Sequence, residues 1–205
     1  MSDTAASGGL LAPTPAQTIG PFFGHALPFP DGGRIAPEGH PDAVTLHGLV
    51  RDGEGAPVPD ALLEFWQAGP DGNPAGAPGS LRRDPATGAL LGRDGAVFTG
   101  FGRVPTDADG HYAVRTLPPA GRPGAAPHLA VCVHARGLLH HLFTRVYFPG
   151  HGAARAADPL LAALPEERAR TLLARPDGPG RYRFDVQLQQ PADGSYEETV
   201  FLAFR

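Results

Sequence analysis

The sequence predicts an all-β fold, a β-sandwich with an extended N-terminal arm. Glycine and proline supply 28 and 24 of the 205 residues, which is typical of a chain with many turns. The hydrophobic fraction of 41% and the net charge of −4 indicate a chain that buries a core rather than a disordered one. Short apolar runs between turn signals then favour a sandwich, and the length suits one domain.

The N-terminal residues 1–35 show neither helical nor strand periodicity and are rich in Pro, Gly and scattered aromatics. We expect them to form an extended arm, and residues 36–205 to form a single β-sandwich domain. The first strand is predicted at 44–50, where Val44, Leu46 and Gly48 share one face. It ends at the glycine-rich turn that follows Arg51.

The rest of the domain is predicted as strands around one long loop and one helical segment. Residues 69–96 carry repeated Gly-Pro and Asp-Gly turn signals and are expected to be the loop. A short helical segment is expected near 158–175, because Asp158-Pro159 is a helix start and acidic residues precede Arg residues within it. Further strands are predicted at 61–67, 97–104, 111–117, 128–134, 142–148, 181–188 and 199–204.

Several function classes are excluded by composition. Cys132 is the single cysteine, so a disulfide scaffold is excluded. No apolar run is long enough to span a bilayer, and the nearly balanced charge argues against nucleic acid as a partner. The N-terminus lacks the basic and apolar regions of a signal peptide, so we expect a cytoplasmic protein.

Spacing alone does not assemble an active site. The sequence has no phosphate-binding loop with a Lys, no Gly-x-Ser-x-Gly, no Cys-x-x-Cys and no His-Glu-x-x-His. Cys132 lies between two valines of a predicted strand, which favours a buried packing role. His140 and His141 are adjacent and diverge on a strand, while His128 and His134 lie about 20 Å apart along one. The residues alone therefore predict a sandwich without a self-contained active site.

A family resemblance follows from ordered motifs along the chain. The segment Thr14–Phe22 reads TPAQTIGPF, and the segment from Pro59 to Ala68 reads PDALLEFWQA. Both resemble signature segments of the intradiol ring-cleavage dioxygenases. The same order of family motifs continues through 46–50, 98–103, 106–112, 126–128, 135–137, 144–148 and 182–185.

The departures from the family pattern concern its iron ligands. Catalytic chains of the family hold non-haem ferric iron with two Tyr and two His, and the His pair is spaced His-x-His. Here His128 is followed by Ala130 at the second His position, and Pro74 stands at the first Tyr position. The loop 117–122, expected to carry the other Tyr, contains none. The resemblance therefore implies an alpha-type chain that binds no metal, with His128 as a vestigial ligand position.

The resemblance also implies partners and a substrate. An iron-bearing beta subunit is expected to hold Fe(3+), in alpha–beta protomers that assemble into a larger hetero-oligomer. The substrate expected is protocatechuate, which the complex opens with O2 to 3-carboxy-cis,cis-muconate in the β-ketoadipate pathway of aromatic catabolism. The arm is expected to contribute to the partner interface and active site, and the implied substrate-binding residues are Thr18, Gly20, Pro21, Phe22 and Arg136.

Each implied role has a physical reason. The Arg136 guanidinium suits the carboxylate of protocatechuate. Gly20 and Pro21 offer a slim, rigid wall to an aromatic ring. Phe22 stands where the family often has Tyr, so a hydroxyl hydrogen bond is lost. An interface ion pair for Arg136 and simple interface packing for the arm are the alternatives.

Three other functions are compatible with parts of the sequence. One is a β-sandwich that binds an aromatic ligand or serves as a scaffold, although such a module needs no arm of this kind. A second is an enzyme that is active as a homo-oligomer, which the replaced ligand positions disfavour. A third is an alpha-like chain of a dioxygenase for another catechol, such as a hydroxyquinol.

Overall fold

The computed structural model describes residues 23–73, 81–122 and 124–203. The helices are α1 Phe23–Ala26, α2 Gly152–Ala156, α3 Pro159–Ala163 and α4 Glu166–Arg170. The strands are β1 Val44–Arg51, β2 Leu62–Trp66, β3 Leu81–Arg83, β4 Leu90–Arg93, β5 Phe101–Pro105, β6 His111–Thr116, β7 His128–His134, β8 Leu142–Tyr147, β9 Arg175–Pro176, β10 Arg181–Arg183 and β11 Val186–Gln187.

Two sheets make up the body of the protein. In the first, β1 is central: it pairs antiparallel with β6 on one edge and parallel with β10 and β11, while β9 pairs with β10. The second sheet has the order β5-β2-β7-β8 and is antiparallel throughout. Alternate residues of both sheets are buried in one shared core, which includes Leu46, Val114, Leu63 and Val131. This layout confirms the predicted β-sandwich.

The strand predicted at 181–188 is divided into β10 and β11 by a close backbone approach. A Cβ on Gly48 would lie 1.8 Å from the carbonyl oxygen of Phe184, so only glycine fits there. The Asp185 side chain accepts a hydrogen bond from the Leu49 amide at 3.0 Å, in place of a backbone partner. The parallel pairing with β1 is therefore interrupted at residues 184–185 and starts again at Val186.

The carbonyl of Phe184 also accepts a hydrogen bond from the Tyr112 hydroxyl at 2.6 Å, in the interior. Burial raises the pKa of Tyr112 well above its usual value, so the hydroxyl remains a donor. We expect Tyr112→Phe to lower the free energy of unfolding by about 1 kcal/mol, because it removes one buried hydrogen bond. Urea denaturation measures this. Tyr196→Phe, at an exposed ring, is the control, and equal stability of the two variants would contradict the expectation.

Residues 29–36 lie between the two sheets at their β5 and β6 edges. The Arg103 amide of β5 donates to the Gly32 carbonyl at 2.9 Å, and the Arg115 amide of β6 donates to the Gly33 carbonyl at 2.7 Å. A Cβ on Gly32 would lie 2.2 Å from the Arg103 carbonyl oxygen, which explains the glycine. Ile35 is fully buried in the core. The last residues of the predicted arm are thus fixed to the body of the protein.

The structure confirms one further sequence prediction and corrects two. The helical segment predicted near 158–175 is present as α3 and α4, which are separate helices because Pro165 holds Leu164 in extended backbone; α2 precedes them. The predicted loop 69–96 contains the hairpin of β3 and β4. Residues 199–204 form no strand within the described part, since the amides of Thr199, Val200 and Leu202 bond to Gln187, Thr171 and Phe143 in turn.

Among the described residues, no helix has the length and apolar character needed to cross a bilayer.

Candidate functional site

A small cavity of about 130 Å³ opens at the start of β7, where the family's ligand positions fall. His128 and Ala130 line it from β7, and both side chains lie on the face of the sheet that points away from the core. Trp66 and Gln67, at the end of β2, form a second wall. Arg122 lines it from the loop predicted to lack a tyrosine. The alternation of β7 thus places the two family ligand positions side by side, as the sequence predicted.

The His128 ring is held in one orientation. Its Nδ1 lies 2.7 Å from the Ala126 carbonyl oxygen, which only accepts, so Nδ1 carries the hydrogen and Nε2 is an acceptor. Burial lowers the pKa of His128, and the nearby Arg145 and Arg122 cations add to this effect against the opposing Ala126 bond and Asp158 charge. The imidazole is therefore neutral at neutral pH.

Gln67 holds the loop that closes the cavity. Its amide nitrogen donates to the Leu117 carbonyl at 2.9 Å, and its amide oxygen accepts from the Thr116 hydroxyl at 2.6 Å. Both contacts are buried. The end of β2 and the start of the 117–122 loop are therefore tied together beside His128.

Asp158 stabilises the part of the cavity wall that surrounds His128. Its carboxylate accepts hydrogen bonds from the amides of Ala126, Leu160 and Leu161 and from the Tyr147 hydroxyl, at distances of 2.9 to 3.3 Å. The Tyr147 ring packs on His128 with centroids 5.4 Å apart. One buried carboxylate thus caps α3 and anchors the cavity wall.

The residues around this cavity do not fit ferric iron. Iron of the family's type needs several converging oxygen and nitrogen donors. The lining offers one imidazole, the Gln67 amide, which is already hydrogen-bonded, four alanines and the Arg122 guanidinium, which carries a positive charge and cannot bind a cation. Pro74, the replaced tyrosine position, lies outside the described residues. A cavity of this size is also below the ~150 Å³ that holds a benzene ring.

Arg136 lies just beyond the other end of β7. Its Nη2 is 3.0 Å from Oδ2 of Asp60, and its side chain is 59% exposed. The pair lines a groove of about 370 Å³ together with Val58, Leu138 and Leu188. This volume is in the range of small-molecule sites, and the groove presents a cation with most of its N–H donors unused by Asp60.

Asp60 was not singled out by the sequence, although it organises this groove. It adopts a left-handed backbone with φ of 60°, which turns the chain just before β2. Its Oδ1 is buried and has no hydrogen-bond partner among the described residues. Gly24 of α1 packs against it, since a Cβ at position 24 would lie 3.1 Å from the Asp60 carbonyl oxygen. The only sequence signal for Asp60 was its position directly after Pro59.

The structure separates the predicted site residues into two places. His128 begins β7 and Arg136 lies in the turn after its end, so the strand from His128 to His134, about 20 Å long at the usual rise, lies between them. Arg136 therefore does not face the cavity of its own chain. The predicted arm residues Thr18, Gly20, Pro21 and Phe22 lie outside the described residues, but they directly precede α1, which rests beside Asp60.

Comparisons with known proteins give matches along most of the chain. The Dioxygenase_C family model, described as "Dioxygenase", matches residues 19–190. The protocatechuate 3,4-dioxygenase alpha chain of Burkholderia cepacia is 44% identical over 93% of this chain and 97% of its own length. The alpha chain of that name from Pseudomonas putida is 34% identical over 95% of this chain and 98% of its own length.

A beta chain and a solved structure are also similar. The protocatechuate 3,4-dioxygenase beta chain of Burkholderia cepacia is 31% identical over 65% of this chain and 56% of its own length. Among solved structures, the dioxygenase domain of a carbohydrate-binding fusion protein from Streptomyces sp. SirexAA-E has a TM-score of 0.52 and 29% identity. The match covers 87% of this chain and 99% of that domain.

Proposed function

The chain belongs to the intradiol dioxygenase family, and we propose that it is the alpha subunit of a cytoplasmic protocatechuate 3,4-dioxygenase. In this proposal a beta subunit holds Fe(3+), and the complex opens protocatechuate with O2 to 3-carboxy-cis,cis-muconate. The reaction belongs to aromatic catabolism through the β-ketoadipate pathway. This chain binds no iron and completes the substrate site where the two subunits meet, in alpha–beta protomers that assemble further.

The observation that carries the proposal is the separation of Arg136 from the cavity at His128. A chain that worked alone needs its ligand positions and its substrate cation in one place. Here the ligand positions face a small cavity without a donor set at the start of β7, and the cation lies at the surface beyond the end of that strand. Arg136 is thus available to a site formed with another chain.

The groove at Arg136 suits the carboxylate of the proposed substrate. Asp60 occupies one edge of the guanidinium and holds it in place, which leaves other N–H donors for a bidentate contact. Because the pair is half open to solvent here, we propose that the partner covers it and that the contact becomes stronger once water is excluded. The chain's part in catalysis is positioning and charge complementarity.

The arm is proposed to complete this groove. Thr18, Gly20, Pro21 and Phe22 lead directly into α1, and α1 begins beside Asp60. A polar group of the arm or of the partner is the proposed hydrogen-bond donor for Oδ1 of Asp60. In this proposal residues 1–35 contribute to the partner interface and the active site, and residues 36–205 form the single domain that carries them.

The proposal is tested by iron content and oxygen consumption, first for this chain alone and then for the chain co-expressed with its beta subunit. We expect the lone chain to be colourless and inactive. The pair is expected to bind close to one ferric ion per alpha–beta unit and to consume oxygen with protocatechuate.

The control arms separate the alternatives. Catechol and hydroxyquinol, assayed on the same pair, distinguish an alpha-like chain for another catechol. Stoichiometric iron and ring cleavage by the lone chain would overturn the proposal in favour of a homo-oligomer. A pair that binds aromatic acids without iron would instead indicate a binding module.

A further inference from the structure

Three metal-ligating side chains converge on the outer face of the second sheet, between the two places described above. Glu64, Cys132 and His134 each offer one ligand atom, and these atoms all lie within 4.8 Å of one another. Cys132 Sγ is 3.4 Å from Nε2 of His134, and that nitrogen is 4.0 Å from Oε2 of Glu64. The proposed function assigns no role to this cluster, and Glu64 was named in the sequence only within the family segment from Pro59 to Ala68.

The strand geometry explains the convergence. Cys132 and His134 are two residues apart on β7, so their side chains leave the same face. Glu64 on β2 is directly opposite Cys132 in the antiparallel register. Directly opposed residues have Cβ atoms about 5 Å apart, which brings their functional groups together. The backbone, rather than a flexible loop, thus sets the positions of all three side chains.

We propose that Glu64, Cys132 and His134 form a site for Zn²⁺ in this chain. A tetrahedral zinc ion with these ligand types needs ligand atoms about 3.4 to 3.6 Å apart, given bond lengths of about 2.0 to 2.3 Å. The sulfur-to-nitrogen distance already meets this. The nitrogen-to-oxygen distance of 4.0 Å needs a contraction of about half an ångström, and the sulfur-to-carboxylate distance, which is within 4.8 Å, needs one of at most about 1.2 Å. Water fills the fourth position.

The surroundings support a thiolate, imidazole and carboxylate set. Arg103 Nε donates to Oε1 of Glu64 at 2.7 Å, so the carboxylate is oriented with Oε2 toward His134. His141 packs on His134 with ring centroids 5.4 Å apart and limits the rotation of that ring. All three ligands are at least partly shielded from solvent.

Binding of Zn²⁺ at this site releases the proton of the Cys132 thiol. Burial and the Glu64 charge raise the pKa of the Cys132 thiol to about 12, so the thiol is protonated before the metal enters. Zn²⁺ binding breaks the S–H bond, forms the Zn–S bond and releases the proton to solvent. No oxidant or reductant is required.

Cobalt(II) is the probe that tests the site on the full-length chain. Cys132 is the only thiol in the sequence, so any thiolate-to-cobalt charge-transfer band in the near ultraviolet must come from it. We expect that band, with visible bands of a four-coordinate ion, to saturate at one equivalent and to disappear when Zn²⁺ is added. Absence of the charge-transfer band in the wild-type chain overturns the proposal.

Variants assign the ligands by calorimetry with Zn²⁺. Cys132→Ser and His134→Gln are each expected to weaken binding at least about tenfold, because loss even of an outer-shell partner of a ligand costs about 10- to 100-fold in affinity. His140→Gln is the matched control, since His140 is an exposed neighbour outside the cluster, and it should leave the affinity unchanged. Far-ultraviolet circular dichroism verifies folding of each variant. Equal Zn²⁺ affinity of folded His134→Gln and the wild type contradicts the assignment.

Discussion

Replacing Arg136 with Ala in the alpha–beta complex is expected to lower kcat/KM for protocatechuate by about 30-fold or more, mostly through KM. Hydrogen bonds to a charged group contribute about 1.5 to 3 kcal/mol, and 2 kcal/mol corresponds to about 30-fold. Because the guanidinium is proposed to bind the carboxylate, turnover of catechol, which has none, should not change. Steady-state oxygen uptake with both substrates measures the effect. The iron content of the complex should remain that of the unsubstituted protein.

Two further variants make this expectation specific. Arg136→Lys keeps the charge and loses the planar pair of donors, so an intermediate loss is expected. Arg170→Ala removes another exposed arginine of a surface ion pair, which it forms with Glu166 within α4, and should leave kinetics unchanged. If protocatechuate and catechol lose activity equally in Arg136→Ala, Arg136 serves the interface and not the substrate carboxylate.

Asp158→Ala is expected to reduce the free energy of unfolding by about 3 kcal/mol. The change removes the cap of α3, worth about 1 kcal/mol, and leaves the buried Ala126 amide without a partner, at about 1 to 3 kcal/mol. The tyrosine hydroxyl that packs above the cavity loses its acceptor as well. Thermal unfolding of the purified chain should show a midpoint lowered by about 6 to 12 °C.

The difference in stability between wild type and Asp158→Ala should depend on pH. Burial opposes ionisation of Asp158, and the hydrogen bonds from Ala126, Leu161 and Leu160 outweigh it, so the pKa of the carboxyl is lowered. The stabilisation is therefore complete above about pH 4, the pKa of aspartate in an unfolded chain, and is lost as the pH falls through the lower folded-state pKa. The gap between wild type and Asp158→Ala should close in that acidic range.

An exposed aspartate is the control. Asp84 accepts hydrogen bonds from the Ala86 and Thr87 amides in a surface turn, where water replaces the lost acceptor. Asp84→Ala should shift the unfolding midpoint far less than Asp158→Ala. A similar shift for both would mean that Asp158 is not the buried anchor that its contacts indicate.

The strands were predictable where alternation is long and local. The β1 and β7 segments carry enough alternating apolar residues to define a buried face, and both predictions are confirmed. The division at Phe184 was not predictable, because its cause is Gly48 on a distant strand. Likewise, the β3–β4 hairpin is hidden among turn signals that usually indicate a loop.

In the candidate sites, too, contacts within one strand could be predicted from the sequence, and contacts between distant segments could not. That His128 and Ala130 share one face could be predicted from their spacing on one strand. Glu64 could not be joined to Cys132, since their contact depends on the register between β2 and β7. Asp60 was missed because its ion pair with Arg136 joins two loops that lie far apart in sequence.

The central place of β1 has a consequence for synthesis of the chain on the ribosome. Thr45 pairs with Arg181, and Val50 pairs with Val186, so one edge of an early strand waits for the last strands to emerge. Until then a nascent chain exposes an unpaired edge, which is the state most prone to aggregation. Such long-range pairing also folds slowly. The first sheet therefore cannot close before residues 181–187 have left the ribosome.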